Sequence, residues 1–505
     1  MRNSKTFLMA TVFFLKIFAM NAVAQPLYHE QYRPQIHFSP KEKWTNDPNG
    51  MVYYKGTYHL FFQYHPYSTK WGPMHWGHAI SHDLIHWKEQ PIALYPDSLG
   101  YIFSGSAVVD KKNTSGFGDH QHVPMIAIYT SHNAAREKEP DHENQSIAYS
   151  LDDGNTWIKY DHNPVLKNPG ISDFRDPKVM WYEPQKKWIM TLATRDRVTF
   201  YSSPDLKEWT KESEFGRDEG AHGGVWECPD LFALNDHNGK KIWVLIVNLN
   251  PGGPNKGSAT QYFVGDFNGH LYTSFSKQPK WIDYGPDDYA GITWSNTGDR
   301  KIFLGWMSNW MYANEVPSEK WRNAMTIPRE LKIKHVGREI FVASGPVREI
   351  SGIQSTSFID SNIKVNQSFD LTKKTGTIKL PCRIKLNMEE AKNFSIHLSN
   401  HINEKLVIGF DRESNQYFID RTSSGKVDFN NEFAAKHVAP RISSDTKMTI
   451  DIIIDESSVE LFADDGLTTM TEVFFPAKPY DNISLDADNV LLSKLEYIRL
   501  SGIWP

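Results

Sequence analysis

Residues 47–63 read DPNGMVYYKGTYHLFFQ. A turn-forming Asp-Pro-Asn-Gly opens the stretch, two apolar runs follow, and Lys55-Gly56 separates them. Aromatic and β-branched residues bounded by Gly, Pro, Asn and Asp predict an antiparallel hairpin. The same order returns as Ser104 to Thr130 with a longer polar insert, and as Asp176 to Ala193 (DPKVMWYEPQKKWIMTLA). It returns again as Cys228 to Asn248 (CPDLFALNDHNGKKIWVLIVN) and as Asp288 to Met307 (DYAGITWSNTGDRKIFLGWM). Between copies lies a second theme, Ser-x-Asp followed by Trp, ending at Trp87, Trp157 and Trp209. No window sustains a helical period, so the repeat predicts five four-stranded blades around a channel. The first strand of a blade lies nearest the axis. The openers Asp47, Ser104, Asp176, the Glu227-Cys228 pair and Asp288 are therefore expected to face one central pocket.

Past residue 335 the texture changes to short alternating strands at 406–410, 416–420, 448–454, 459–462 and 495–500. The expected fold is all-β: a five-bladed β-propeller over 30–335, a linker at 336–355 and a β-sandwich over 356–505. At the start, Arg2 and Lys5 precede an apolar run and Ala22-Val23-Ala24, the order of a cleavable signal peptide over 1–24. That stretch is too short for a membrane span, and no cysteine near it offers a lipid anchor, so a secreted or periplasmic protein is expected. In 505 residues, two cysteines exclude a disulfide scaffold. A net charge of −5 gives no reason to expect a nucleic-acid partner. Aromatic residues make up 13% of the chain, a load that fits strands and pockets that stack on rings.

Three segments carry the chemistry. In Trp44-Thr45-Asn46-Asp47-Pro48-Asn49-Gly50, a Pro-stiffened turn aims a carboxylate as a nucleophile requires; an Asx-turn before a strand is the plain alternative. In Phe174-Arg175-Asp176-Pro177, Arg175 is expected to keep Asp176 ionised, against the alternative of a surface ion pair. In Trp226-Glu227-Cys228-Pro229-Asp230, a Glu among apolar neighbours suits a general acid, against a strand-edge Glu with no special contact. Together they supply what glycoside hydrolysis uses: an attacking carboxylate, a proton donor and a third group to hold sugar hydroxyls. Trp44, Trp71, Trp76, Trp226, Trp306 and Trp310 are available to stack on sugar rings.

With Phe103-Ser104-Gly105-Ser106, the 321–331 segment WRNAMTIPREL and the 457–462 segment SSVELF, these boxes resemble glycoside hydrolase family 32, the β-fructosidases. Thr45 departs from the Met more frequent in the first box. The resemblance implies a propeller plus sandwich and a retaining mechanism without metal or organic cofactor. Asp47 would be the nucleophile, Glu227 the acid/base and Asp176 the transition-state stabiliser, steadied by Arg175. It implies a fructose subsite lined by Asn46, Gln63, Trp71, Phe103, Ser104 and Trp310. The partner it implies is a fructan or fructo-oligosaccharide, with exo release of fructose expected over endo cleavage or a sucrose preference.

Other signals weigh less. His75, His78, His82 and His86 would share a face only on a helix, and the blade pattern argues for strands, so no metal site is expected. The 150–157 segment SLDDGNTW is an Asp-box turn, which raises a sialidase reading, and a non-catalytic sugar-binding propeller is the remaining alternative. Cys228 and Cys382 fall in different expected domains and are not expected to pair.

Overall fold

A computed structural model describes residues 27–504, to which all counts here refer; the expected signal segment lies outside them. Five mainly antiparallel sheets follow one another along the chain. Their innermost strands are Lys43–Tyr54, Tyr101–Val109, Phe174–Tyr182, Val225–Asn235 and Tyr289–Thr293, in blades 1 to 5. Each touches the next, and the fifth touches the first, so the sheets close into a ring. Trp321–Arg322 pairs in parallel with Lys43 and Trp44 and seals the ring between blades 5 and 1. The Ser-x-Asp-…-Trp theme forms turns: Asp83, Asp152 and Asp205 each accept backbone N–H groups of the residues that follow.

Every innermost strand breaks register near the channel, and that of blade 1 breaks it a second time at Gly50 and Met51. Asn46 and Asp47 oppose Gln63 alone, Phe103 and Ser104 oppose Thr130, and Asp176 and Pro177 oppose Leu192. Cys228 and Pro229 oppose Val247, and Ala290 and Gly291 oppose Gly305. Two residues against one is a β-bulge, which bends the strand and re-aims its side chains. Asp176, Cys228 and Ala290 take positive φ at 64°, 43° and 53°. The residue after each of Asp47, Ser104, Asp176, Cys228 and Ala290 is Pro or Gly. Pro is tolerated where a bulge frees the ladder of an N–H. Gly105 is required by space, since a Cβ there would lie 2.0 Å from the Ile128 carbonyl oxygen.

The sandwich packs two six-stranded sheets over a core from Val365 to Tyr497. The linker expected at 336–355 is instead ordered structure. Glu339–Pro346 pairs with Arg329–Val336 as the outer strand of blade 5, and a 3-10 turn at Arg348–Ile353 leads into the sandwich. Gly337 turns this hairpin with φ 60°, so its Val-Gly boundary is a tight turn and not a domain break.

A buried charge cluster joins the two domains. Arg329 of blade 5 donates through Nε to Glu460 of the sandwich at 3.0 Å. Its Nη1 reaches Asp283 at 2.9 Å and Asp288 at 2.8 Å. Asp288 therefore does not face the channel, contrary to the expectation from the repeat. The fifth bulge falls two residues later, at Ala290, and Asp288 turns to the domain interface where Arg329 neutralises it.

Candidate active site

The bulges of blades 1 to 3, and Glu227 just ahead of the bulge of blade 4, bring side chains to one cavity of about 500 Å³. Asp47, Asp176, Glu227 and Arg175 line it, with Asn46, Gln63 and Ser104 beside them. Trp71, Phe103 and Trp310 complete the wall, so all ten residues singled out from sequence meet here. Exposure rises from 5% at Asp176 to 42% at Trp71, which marks Asp176 as deep and Trp71 as rim.

Asp47 is held from two sides. Ser104 Oγ donates to Oδ2 at 2.6 Å and Asn46 Nδ2 to Oδ1 at 3.0 Å. Asn46 is oriented in turn by Trp44 Nε1 at 2.8 Å. Burial and the nearby Glu227 push the Asp47 carboxyl above its ordinary range, against the pull of Ser104 and Asn46. Asp176 accepts the Cys228 N–H at 3.0 Å, and its own N–H donates to Thr130 Oγ1 at 3.0 Å. Burial pushes Asp176 up to about 8; the Arg175 charge opposes this, while Glu227 and Asp47 add to it. Like charges at close quarters resist joint ionisation. The Cys228 thiol touches both Asp47 and Asp176 at 3.6 Å. Burial and those carboxylates keep it neutral, and both cysteines are free.

Arg175 differs from expectation. Its guanidinium grips Glu227, through Nη2 at 3.0 Å and Nε at 3.2 Å, and not the neighbouring Asp176. The bulge re-aims Asp176 towards the Cys228 N–H, while Arg175, just before it, reaches across to Glu227 of blade 4. Tyr289 of blade 5 donates its hydroxyl to the second Glu227 oxygen. Sequence reasoning missed Tyr289, although aligning Ala290-Gly291 with Asp176-Pro177 puts Tyr289 level with Arg175. It also missed Glu143, His132, His142 and Asn250 of the wall, which no motif marks.

Four of the six tryptophans expected to stack on sugars are fully buried: Trp44, Trp76, Trp226 and Trp306. They brace the site instead. Trp76 Nε1 donates to the Phe103 carbonyl and Trp306 Nε1 to that of Thr45, and Trp306 backs Trp310 at 4.9 Å. Only Trp71 and Trp310 offer ring surface to the cavity. The four histidines at 75–86 go to separate partners: Pro73 O, His59, Gly56 O and Asp83. Two other groups bring donor atoms close enough for a cation, His132–His142–Glu143 in the cavity wall and Asp236–His237–His335 at the surface. In the first, the Arg175 guanidinium already occupies Glu143 and repels a cation.

The chain matches the glycosyl hydrolases family 32 N-terminal domain over residues 37–344 and the family 32 C-terminal domain over 349–498. It is similar to a levanase of Bacillus subtilis, 45% identical over all of this chain and 75% of that protein. It is 39% identical to an extracellular exo-inulinase of Aspergillus niger, over 89% of this chain and 90% of that one. The crystal structure of exo-inulinase from Aspergillus awamori superposes with a TM-score of 0.86 at 36% identity, covering 94% of this chain and 100% of the other. Two domains matched in order, on a propeller whose bulges gather three carboxylates, make this chain a member of glycosyl hydrolase family 32 and a glycosidase.

Proposed function

We propose that the protein is an exported, retaining β-fructosidase that removes terminal fructosyl units from fructans such as levan and inulin. The observation that carries the reading is the meeting of Asp47, Asp176 and Glu227, from three blades, in a cavity sized for a sugar. Asp47, fixed by two neutral donors, attacks the anomeric carbon. Glu227 gives its proton to the departing oxygen and later activates water against the fructosyl-enzyme bond. Asp176 accepts hydrogen bonds from fructose hydroxyls as positive charge develops at the ring. Gln63 adds a donor, since its buried Nε2 has no protein partner. Carboxylates alone perform these steps, and no metal or organic cofactor enters them.

Exo action is supported by the gradient of exposure from Asp176 to Trp71, which suits a chain end entering by the rim. The likeness to proteins named levanase and exo-inulinase points to fructans as the substrate class. Product analysis on levan, inulin and sucrose tests the reading. Fructose as the sole early product is expected; a ladder of oligosaccharides from the first minutes would overturn exo action.

A further inference from the structure

We propose that Glu143 is the positioning residue of the acid/base: from blade 2 it clamps the Arg175 guanidinium, which in turn aims the Glu227 carboxyl at the leaving group. The proposal rests on the reading of Glu227 as acid/base.

Glu143 opens the third strand of blade 2, Glu143–Ser150, with its side chain 2% exposed. It faces blade 3. Its Oε2 accepts the Phe174 N–H at 2.8 Å, and Arg175 Nη1 lies 3.3 and 3.4 Å from its two oxygens. His132 Nδ1 stands 3.3 Å from Oε1, and His142 Nε2 3.8 Å. His132 stacks on Phe103 at 4.0 Å between ring centres, so the clamp is also tied to the sugar-facing wall.

The guanidinium is thus held at both edges. Nη1 goes to Glu143 and, at 2.7 Å, to Asp173, while Nε and Nη2 go to Glu227. A guanidinium is a rigid planar fork, so fixing Nη1 fixes the direction of the Nε–Nη2 edge. Burial works against a charge on Glu143, yet Arg175 and His132 hold its carboxyl down at about 2, so it is an anion throughout the working range. A neutral amide in its place would turn an N–H group towards the Phe174 N–H or the guanidinium and release the fork. Glu227 would keep Tyr289 and lose its second fixed direction.

A misaimed proton donor hurts a poor leaving group and spares a good one. Sucrose loses glucose through an alkoxide-like oxygen that must be protonated, whereas 4-nitrophenyl β-D-fructofuranoside releases a stable phenolate. Glu143→Gln is expected to lower kcat/KM on sucrose by roughly 10- to 100-fold and on the nitrophenyl substrate by less than about threefold. Glu143→Asp, which keeps the charge, should recover part of the loss. Asp173→Asn removes the more exposed anion on the same nitrogen and should show the same discrimination, smaller. It reports on the clamp even if Glu143→Gln does not fold. Equal losses on both substrates, or no loss in either variant, would overturn the clamp. Glu227→Gln is the reference and should discriminate most. Equal losses there, or a wild type that releases no fructose, would overturn the underlying reading itself.

Discussion

Asp47, Asp176 and Glu227 are all carboxylates in one cavity, and their partners separate them. Asp47 is held by a hydroxyl and an amide, Asp176 by a backbone N–H, and Glu227 by a guanidinium and a phenol. Replacing Asp47 or Glu227 by Ala should lower fructose release by at least about three orders of magnitude, with the thermal midpoint little changed. Wild-type-like turnover in either variant would refute its role. Tyr289 is a finer probe. Burial and the facing Glu227 push its phenol far up, so it stays a donor. Tyr289→Phe removes a hydrogen bond to the Glu227 carboxyl, and kcat should fall roughly tenfold, about 1.4 kcal/mol of barrier, in an intact fold. An unchanged kcat in steady-state assays would show that this bond does not serve the reaction.

At the scale of the element, the device is the bulge, present on the innermost strand of every blade. It frees the chain from strand alternation just where a side chain must enter the channel. The close approach of the bulged strand to its neighbour leaves no room beside it. In Gly105→Ala the new Cβ would meet the Ile128 carbonyl at 2.0 Å. The strand must shift, and Ser104 shifts with it away from Asp47. A loss of about 1–3 kcal/mol in stability and a fall in kcat are expected together, read by denaturant titration and fructose assay. Gly345 is the contrast, since nothing lies within 4 Å of its Cβ position. Gly345→Ala should be neutral or slightly stabilising. Matching effects at the two sites would mean that bulge packing is not what Gly105 supplies.

At the scale of the whole molecule, the sandwich braces blade 5. His37, ahead of blade 1, bonds Asp455 and Glu460 of the sandwich at 2.8 Å each. Glu460 holds Arg329, Arg329 holds Asp288, and Asp288 precedes the Tyr289 that bonds Glu227. Burial disfavours protonated His37, but Asp455 and Glu460 outweigh it and lift the imidazole from 6.5 to about 9. A raised folded-state value means that the stabilisation is complete below 6.5 and fades as pH rises through about 9. It is of order 3 kcal/mol. The thermal midpoint should therefore drop between about pH 7 and pH 10, and His37→Gln should flatten that drop. A wild-type midpoint constant over this range would exclude the histidine as the cause.

Strand patterning and turn chemistry are local, so they could be read from the chain alone. The five hairpins, the sandwich, and carboxylates borne on Asp47-Pro48, Asp176-Pro177 and Glu227-Cys228-Pro229 needed no partner to be recognised. Which side chain meets which is not local. Glu143 and Arg175 are 32 residues apart, Arg175 and Glu227 52, and Tyr289 and Glu227 62. A bulge also moves facing by one residue, which sent Asp288 to the interface and brought Tyr289 to the site. The buried tryptophans belong to the same class, because only packing decides whether a ring covers a sugar or a neighbouring strand. The kind of chemistry was thus written in short motifs. The aim of each carboxylate, including the Glu143–Arg175 line that holds Glu227, came from the closure of the ring, where separate blades bring their bulges together.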